Sequence, residues 1–421
     1  VNINPGLQSI PSKVQLEQID IRSLGKEKIR ELYRAGKIPT PEAILEEIVT
    51  RAAKEGFRFI HFEPMENMLH IRYGNYDFLK DVVSLPVNLT ENIAGIIKIK
   101  AGINAFEKRK PQRGKYTLNI GPMQFSLAVN LIAVNAGERI TIDMLNKNAE
   151  LPALQELGLQ DTNLEQYKNL ISRRNGLILV TGSKDSGKST TVYASLKHLK
   201  SKENNIVTVE DRQEYQLNFA TQIIVTPEVG LTREEALKAL LQQNPNVALI
   251  SEIDDNETVS NAIEAVLRGS LVFSTMISRD AISAIPRLLG LDISPYQLST
   301  GLIGVAHQTF VRKLCDSCKE SYTPDPAERE ILGNTGESDV QLFRAKGCEH
   351  CHGSGYSGRT AAFEILTIND ELLDAIFQHA SFSSIKDIAR KHGYVDIRDD
   401  IVNKVKSGIT SVEELIRLVG N

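Results

Sequence analysis

The stretch from Leu177 to Leu196, LILVTGSKDSGKSTTVYASL, decides how this chain is read. Four apolar residues, Leu177–Val180, lead into Gly182-Ser183-Lys184-Asp185-Ser186-Gly187-Lys188-Ser189, followed by Thr190 and helix-forming sequence. The octet fits G-x-x-x-x-G-K-[ST], and its setting, apolar strand before and helix after, is the one such a loop requires. Glycines let the backbone wrap, successive N–H groups point at phosphate, and the helix N-terminus adds positive potential. Lys188 is expected to reach the β- and γ-phosphates of a nucleotide and Ser189 to ligate its Mg²⁺. Asp185 is unusual in this position. At ~6 Å and an effective dielectric of ~20, its repulsion of one phosphate charge is on the order of 3 kcal/mol before screening. Either Lys184 offsets part of that, or the carboxylate points to solvent.

Outward from this loop, short β-branched runs alternate with helical patterns. Leu177–Val180, Ile206–Val209, Val247–Ser251 and Leu271–Thr275 read as strands buried on both faces. Helices are expected near Ser189–Lys200, Thr232–Gln243, Glu257–Leu267 and Ala281–Leu289. The fold class is therefore α/β with a mainly parallel sheet. Two of its strands end in acids, Glu210 and Glu252. Ligands of doubly wound sheets sit at the carboxyl ends of strands, so both are expected to face the phosphates. One would polarise a water and the other hold Mg²⁺ through its hydration shell.

The N-terminal half reads differently. Residues 1–40 are polar and Pro-punctuated around a short helical pattern at Lys26–Arg34, and read as a linker from something upstream. An α+β domain is expected over 41–147. It opens with the helix Glu42–Lys54, continues through strands Arg58–Glu63 and Met68–Tyr73 and a helix near Leu89–Ala101, and closes with strands Tyr116–Ile120, Phe125–Val134 and Arg139–Leu145. Residues 148–170 are read as an interdomain linker and 171–421 as the α/β domain. Inside the latter lie a Cys/Gly-rich insert at 312–358 and a C-terminal helical segment at 366–421.

In the insert, Cys315-x-x-Cys318 and Cys348-x-x-Cys351 are separated by 29 residues. Two C-x-x-C turns predict a tetrahedral thiolate site, with Zn²⁺ the best match and a structural role. His350 and His352 stand near enough to be spare ligands, although such residues more often lie outside the ligand set or in solvent.

Composition narrows the function. The chain has 421 residues, a prior of roughly three domains. Its 49 basic and 53 acidic side chains leave a net charge of −4, and aromatics are only 6% with no Trp. A general nucleic-acid coat and a base-stacking platform are both missing, so no nucleic-acid partner is expected. No run of ~18 apolar residues occurs, so no spanning helix is expected.

Taken together, these segments resemble the type II secretion and type IV pilus assembly ATPase family. The carrying stretches are LILVTGSKDSGKSTTVYASL, NIVTVEDRQEYQ, SEIDDNET, LVFST, VRKLCDSCKE, GCEHCHGSGYSGRTAAFEIL and IRDDIVNKV, with IHFEP, AGINAFEKRKPQRGK and NAGERITIDML in the N-terminal half. The resemblance covers about residues 40–421. It implies a RecA-like P-loop ATPase domain, an N-terminal α+β domain, a zinc-binding insert and ATP, Mg²⁺ and Zn²⁺ as cofactors. It also implies a hexameric ring, homomeric or mixed with a paralogue, on a platform protein at the cytoplasmic side of the inner membrane. Carried over by position, Gly182–Thr190 bind nucleotide, with Lys188 and Ser189 at phosphate and Mg²⁺. Glu210 is the general base and Glu252 the acid near Mg²⁺. Cys315, Cys318, Cys348 and Cys351 hold zinc.

The departures from the family pattern share a sign. Arg212 replaces a proline. Asp254, Gln242, Ala128 and Asp143 replace arginines, and Ser270 and Ile277 replace histidines. Positive and proton-bearing groups that would meet the terminal phosphate are gone, and such groups are worth orders of magnitude in phosphoryl transfer. The expectation is a nucleotide-binding subunit with weak turnover. The alternatives are a non-hydrolysing scaffold or regulator, and an active motor in which Arg212 or Arg279 supplies the missing charge.

Overall fold

The computed structural model describes residues 40–75, 79–333, 341–351, 353–378 and 380–420. The expected linker, its Lys26–Arg34 pattern and His352 lie outside these residues. Two compact units divide at Ala149/Glu150.

In the first unit, helix α1 (Pro41–Lys54) starts as its sequence dictates: Thr40 accepts the Ala43 N–H at 3.2 Å and Pro41 occupies the first turn. Strands β1 (Phe59–Pro64), β2 (Met68–Gly74) and β3 (Leu79–Pro86), helix α2 (Thr90–Lys100), and strands β4 (Gln112–Ile120), β5 (Met123–Val134) and β6 (Gly137–Asn146) follow. The six strands form one antiparallel sheet in the order β3-β2-β1-β6-β5-β4. Ile44, Leu45, Ile48 and Val49 of α1 and Ile93 and Ile97 of α2 pack on one face of it, against alternate residues such as Leu127, Val129, Ile140 and Ile142. Tyr73 donates its hydroxyl to Ile48 O at 2.6 Å, pinning α1 to the sheet. Strand alternation sends Ala128 and Asp143 to the opposite face, where they are direct cross-strand partners.

The second unit begins with helix α3 (Asp161–Ile171). This helix lies in the stretch read from sequence as a connector, and it buries Tyr167, Leu170 and Ile171 in the core. After it come β7 (Gly176–Thr181), α4 (Lys188–His198), β8 (Ile206–Glu210), β9 (Thr221–Ile224), α5 (Arg233–Gln242), β10 (Val247–Glu252), α6 (Asn256–Leu267) and β11 (Leu271–Met276). Helices α7 (Ala284–Leu289) and α8 (Pro295–Gly301) then lead to β12 (Leu302–Leu314). The remainder is β13 (Glu320–Tyr322), α9 (Pro326–Ile331), β14 (Leu342–Arg344), β15 (Tyr356–Thr367) and helices α10 (Asp370–Phe377), α11 (Phe382–Lys391), α12 (Ile397–Lys406) and α13 (Val412–Val419).

Seven strands make the sheet β15-β12-β7-β11-β10-β8-β9, parallel throughout except for β15 on β12. Every residue of β7 and β8 is buried because helices cover both faces. Ile178 and Val180 face α3 and α4, while Leu177 and Leu179 face α5, α6 and α7. A two-stranded sheet, β13-β14, lies in the Cys/Gly-rich region, and α12 and α13 pack with Leu342 and Val311 in a separate small core.

Candidate functional site

The octet of the opening segment forms the turn between β7 and α4. Gly182 (φ 151°) and Gly187 (φ 89°) take backbone angles that L side chains avoid. Space is also decisive: a Cβ at Gly182 would sit 2.4 Å from Gln308 O, and one at Gly187 would sit 2.7 Å from Phe310 Cζ. Strand β12 is thus the floor of the loop. Lys188 Nζ donates to Ser183 O at 2.7 Å and Gly182 O at 3.3 Å. Burial pushes its pKa down, opposed by the charges of Glu252, Asp185 and Glu214. Asp185 itself is exposed and left-handed (φ 62°), with its side chain toward solvent, which is the second of the two sequence alternatives.

Beside Lys188 lies a cavity of about 190 Å³ whose lining includes Ser189, Glu210, Arg212, Glu214 and Glu252. The two glutamates expected from sequence are both here, in different states. Glu210 is 3% exposed and both its oxygens are engaged. Oε1 accepts from Thr208 Oγ1 at 2.6 Å and Gln222 Nε2 at 3.0 Å, and Oε2 accepts from the Tyr193 hydroxyl. Burial and the Glu210 charge push the Tyr193 pKa up, so the phenol stays a donor. Glu214 accepts the Ser189 hydroxyl at 3.2 Å and had no part in the sequence reading. It sits in the irregular stretch after β8, where neither period nor strand-end logic points to it; its only sequence signal is a carboxylate four residues past Glu210.

The departures are accommodated by new partners. Arg233, at the start of α5, reaches Asp211 at 2.8 Å, Asp254 at 2.7 Å and Asp255 at 3.7 Å. Asp143 pairs with Arg58, whose second contact is 3.2 Å. Ser270 is buried and donates to Pro245 O at 2.7 Å. Ile277 is partly exposed, and Arg279 is exposed on the loop after β11.

The four cysteine sulfurs lie within 4.8 Å of one another. Cys315–Cys348, Cys318–Cys351 and Cys348–Cys351 are 3.9, 3.8 and 3.7 Å apart. A Zn–S bond of ~2.3 Å in a regular tetrahedron sets sulfur–sulfur edges of about 3.8 Å, so the donor set fits zinc in number, chemistry and spacing. Burial raises the Cys351 thiol pKa, but N–H groups of Cys348 and Gly355, at 3.1 and 3.2 Å from its sulfur, outweigh that and bring it to about 6. His350 is exposed.

A family model described as Type II/IV secretion system protein matches residues 34–417. This chain belongs to that family. Within it, the chain is 38% identical over 375 residues to the type II secretion system ATPase E of Vibrio cholerae, covering 89% of this chain and 74% of that protein. It is 33% identical over 426 residues to the type IV pilus assembly ATPase PilB of Thermus thermophilus, covering 97% of this chain and 48% of that one. Among solved structures, the ATPase DotB of Legionella pneumophila aligns with TM-score 0.65 at 16% identity, over 90% of this chain and 96% of that one. The pilus retraction motor PilT with bound ADP aligns with TM-score 0.60 at 21% identity, over 90% and 97%. These two show that the fold is shared with secretion-family ATPases. No helix among the described residues is long and apolar enough to cross a membrane.

Proposed function

We propose that this chain is a nucleotide-binding subunit of a secretion or type IV pilus assembly motor, with slow ATP hydrolysis. The observation that carries the reading is the grouping of Ser189, Glu214 and Glu252 around one cavity beside the phosphate loop, with Lys188 next to Ser189 and within the field of both carboxylates. Lys188 would meet the β- and γ-phosphates, and Ser189 the Mg²⁺. Glu214 or Glu252 would orient the attacking water. The hydrogen bonds on both oxygens of Glu210 favour a framework role for it and leave the water-facing role to Glu214. Slow turnover is supported by charge. Asp143 and Asp254 stand where family members carry arginines, and each has drawn a neighbouring guanidinium into an internal ion pair. Arg58 and Arg233 are thereby committed to aspartates rather than to developing phosphate charge. Zinc on the four cysteines, a hexameric ring of one or two chain types and a platform protein at the inner membrane complete the proposal.

The internal pairing of both aspartates also favours a second reading, a scaffold or regulator that binds ATP without hydrolysing it. Calorimetry with Mg²⁺ and ATP beside steady-state phosphate release separates them. Binding with turnover above that of Lys188→Ala supports the slow motor; binding with turnover equal to it supports the scaffold; no binding at millimolar nucleotide overturns both.

A further inference from the structure

Strand β12 touches the phosphate loop with two consecutive side chains, one from each face. Gln308, 1% exposed, donates Nε2 to Ser186 O at 2.7 Å, inside the loop. His307, 6% exposed, meets Thr181 Oγ1 through Nδ1 at 3.2 Å, and Thr181 immediately precedes Gly182. In register, His307 lies between Thr181 on β7 and Glu364 on β15. The charged groups acting on it are Lys188 from α4 and Asp280 from the loop after β11, and its cross-strand neighbour on β15 is the buried carboxyl of Glu364. Glu364 in turn accepts the Ala281 N–H at 2.5 Å, the Tyr394 hydroxyl at 2.8 Å and the Ile397 N–H at 3.1 Å. A buried polar layer therefore joins the entrance of the phosphate loop to the loop after β11, the segment that holds Ile277 in place of a histidine.

We propose that His307 is a positioning residue of the nucleotide site that takes up a proton from solvent when a nucleoside triphosphate binds. The inference rests on the nucleotide-binding reading above. Burial pushes the His307 pKa down to about 4; Asp280 raises it and Lys188 lowers it. A polyphosphate seated on Lys188 cancels the ammonium field and adds negative charge, so the imidazolium gains and Asp280 becomes its counter-ion. The cation then donates to Thr181 Oγ1 on one side and attracts the loop after β11 on the other. By linkage, proton uptake on binding means that affinity rises as pH falls.

The test is calorimetry of the full chain with Mg²⁺ and a non-hydrolysable ATP analogue, in buffers of different ionisation enthalpy. Wild type is expected to take up roughly half a proton near pH 6 and close to none near pH 8. His307→Gln keeps a neutral hydrogen-bonding side chain. It is expected to bind within about threefold of wild type near pH 8, lose the uptake, and fall about twofold further behind near pH 6 and roughly tenfold further near pH 5. Glu364→Gln controls for the neighbouring carboxyl and is expected to retain uptake. Should His307→Gln fail to fold, the imidazole resonances of wild type, titrated with and without the analogue, read the same proton. Unchanged uptake in His307→Gln, uptake abolished by Glu364→Gln alone, or an imidazole pKa indifferent to nucleotide overturns the inference and spares the nucleotide site. Absence of binding to wild type removes the nucleotide site and this inference with it.

Discussion

Glu210 and Glu214 lie four residues apart, and their surroundings assign them opposite responses to the same substitution. In Glu210→Gln the new amide presents an NH₂ to a group of donors: the Tyr193 and Thr208 hydroxyls and the Gln222 amide. One or two charge-assisted hydrogen bonds are lost in a buried setting. At about 1.5–3 kcal/mol each, that costs about 1.5–6 kcal/mol, and Tm is expected to fall by roughly 5–15 °C. Glu214→Gln keeps an acceptor for the Ser189 hydroxyl, so its Tm should stay within roughly 2 °C of wild type. Its catalytic loss should be the larger, about 10²-fold or more in single-turnover phosphate release, as for removal of a general base. Calorimetric unfolding and rapid-quench phosphate release on the two variants make the comparison. A Glu210→Gln protein with unaltered Tm and abolished turnover, beside a Glu214→Gln protein that turns over normally, refutes the reasoning.

Further outcomes follow from particular contacts. Asp254→Arg alone should lose about 1 kcal/mol of stability, because it faces Arg233 with a like charge, and the double variant with Arg233→Ala should recover most of it in denaturant titrations. No gain in turnover on restoring arginine at 128, 143 and 254 together would discard lost charge as the cause of slow hydrolysis. Glu364 has its pKa raised to about 7, chiefly by burial, against about 4.5 when unfolded, so the native state binds the extra proton. Its contribution is present below about pH 4.5 and is lost as pH rises through 7, on the order of 3 kcal/mol; Glu364→Gln should flatten that part of the curve of unfolding free energy against pH. For the cysteines, metal analysis is expected to give about one zinc per chain, and Cys315→Ser with Cys348→Ser should abolish it and lower Tm; a zinc-free wild type would remove the site.

What the sequence made legible follows from burial. Strands β7, β8, β10 and β11 are apolar along their length because helices cover both faces, so composition alone marks them. Strands β12 and β15 escaped because their middles carry His307, Gln308 and Glu364, polar groups whose partners come from distant segments. Helix α3 was obscured by Asn163 and Gln166. Asn163 is polar yet buried, donating to Phe363 O at 2.9 Å, a partner 200 positions away. At the site, the phosphate loop was readable because its chemistry is local in sequence. Glu210 was placed by its position at a strand end, and it does line the cavity; the hydroxyl on its Oε2 comes from Tyr193 of α4, which no strand-end rule contains. Arg233 was invisible as the partner of Asp254 for the same reason.

Strand β12 ends at Leu314, next to Cys315, and β15 starts at Tyr356, five residues after Cys351; Leu314 and Tyr356 are paired at the end of the ribbon. The cysteine knot therefore works as a clasp on a two-stranded tape whose far portion underlies the phosphate loop. Opening the clasp lets the tape peel from Leu314–Tyr356 through Arg312–Arg359 and Phe310–Ala361 before it reaches Gln308–Phe363. Chelator-treated protein should thus be nicked by protease near the knot first, and its grip on nucleotide should slacken only once peeling has advanced to the residue that braces Ser186.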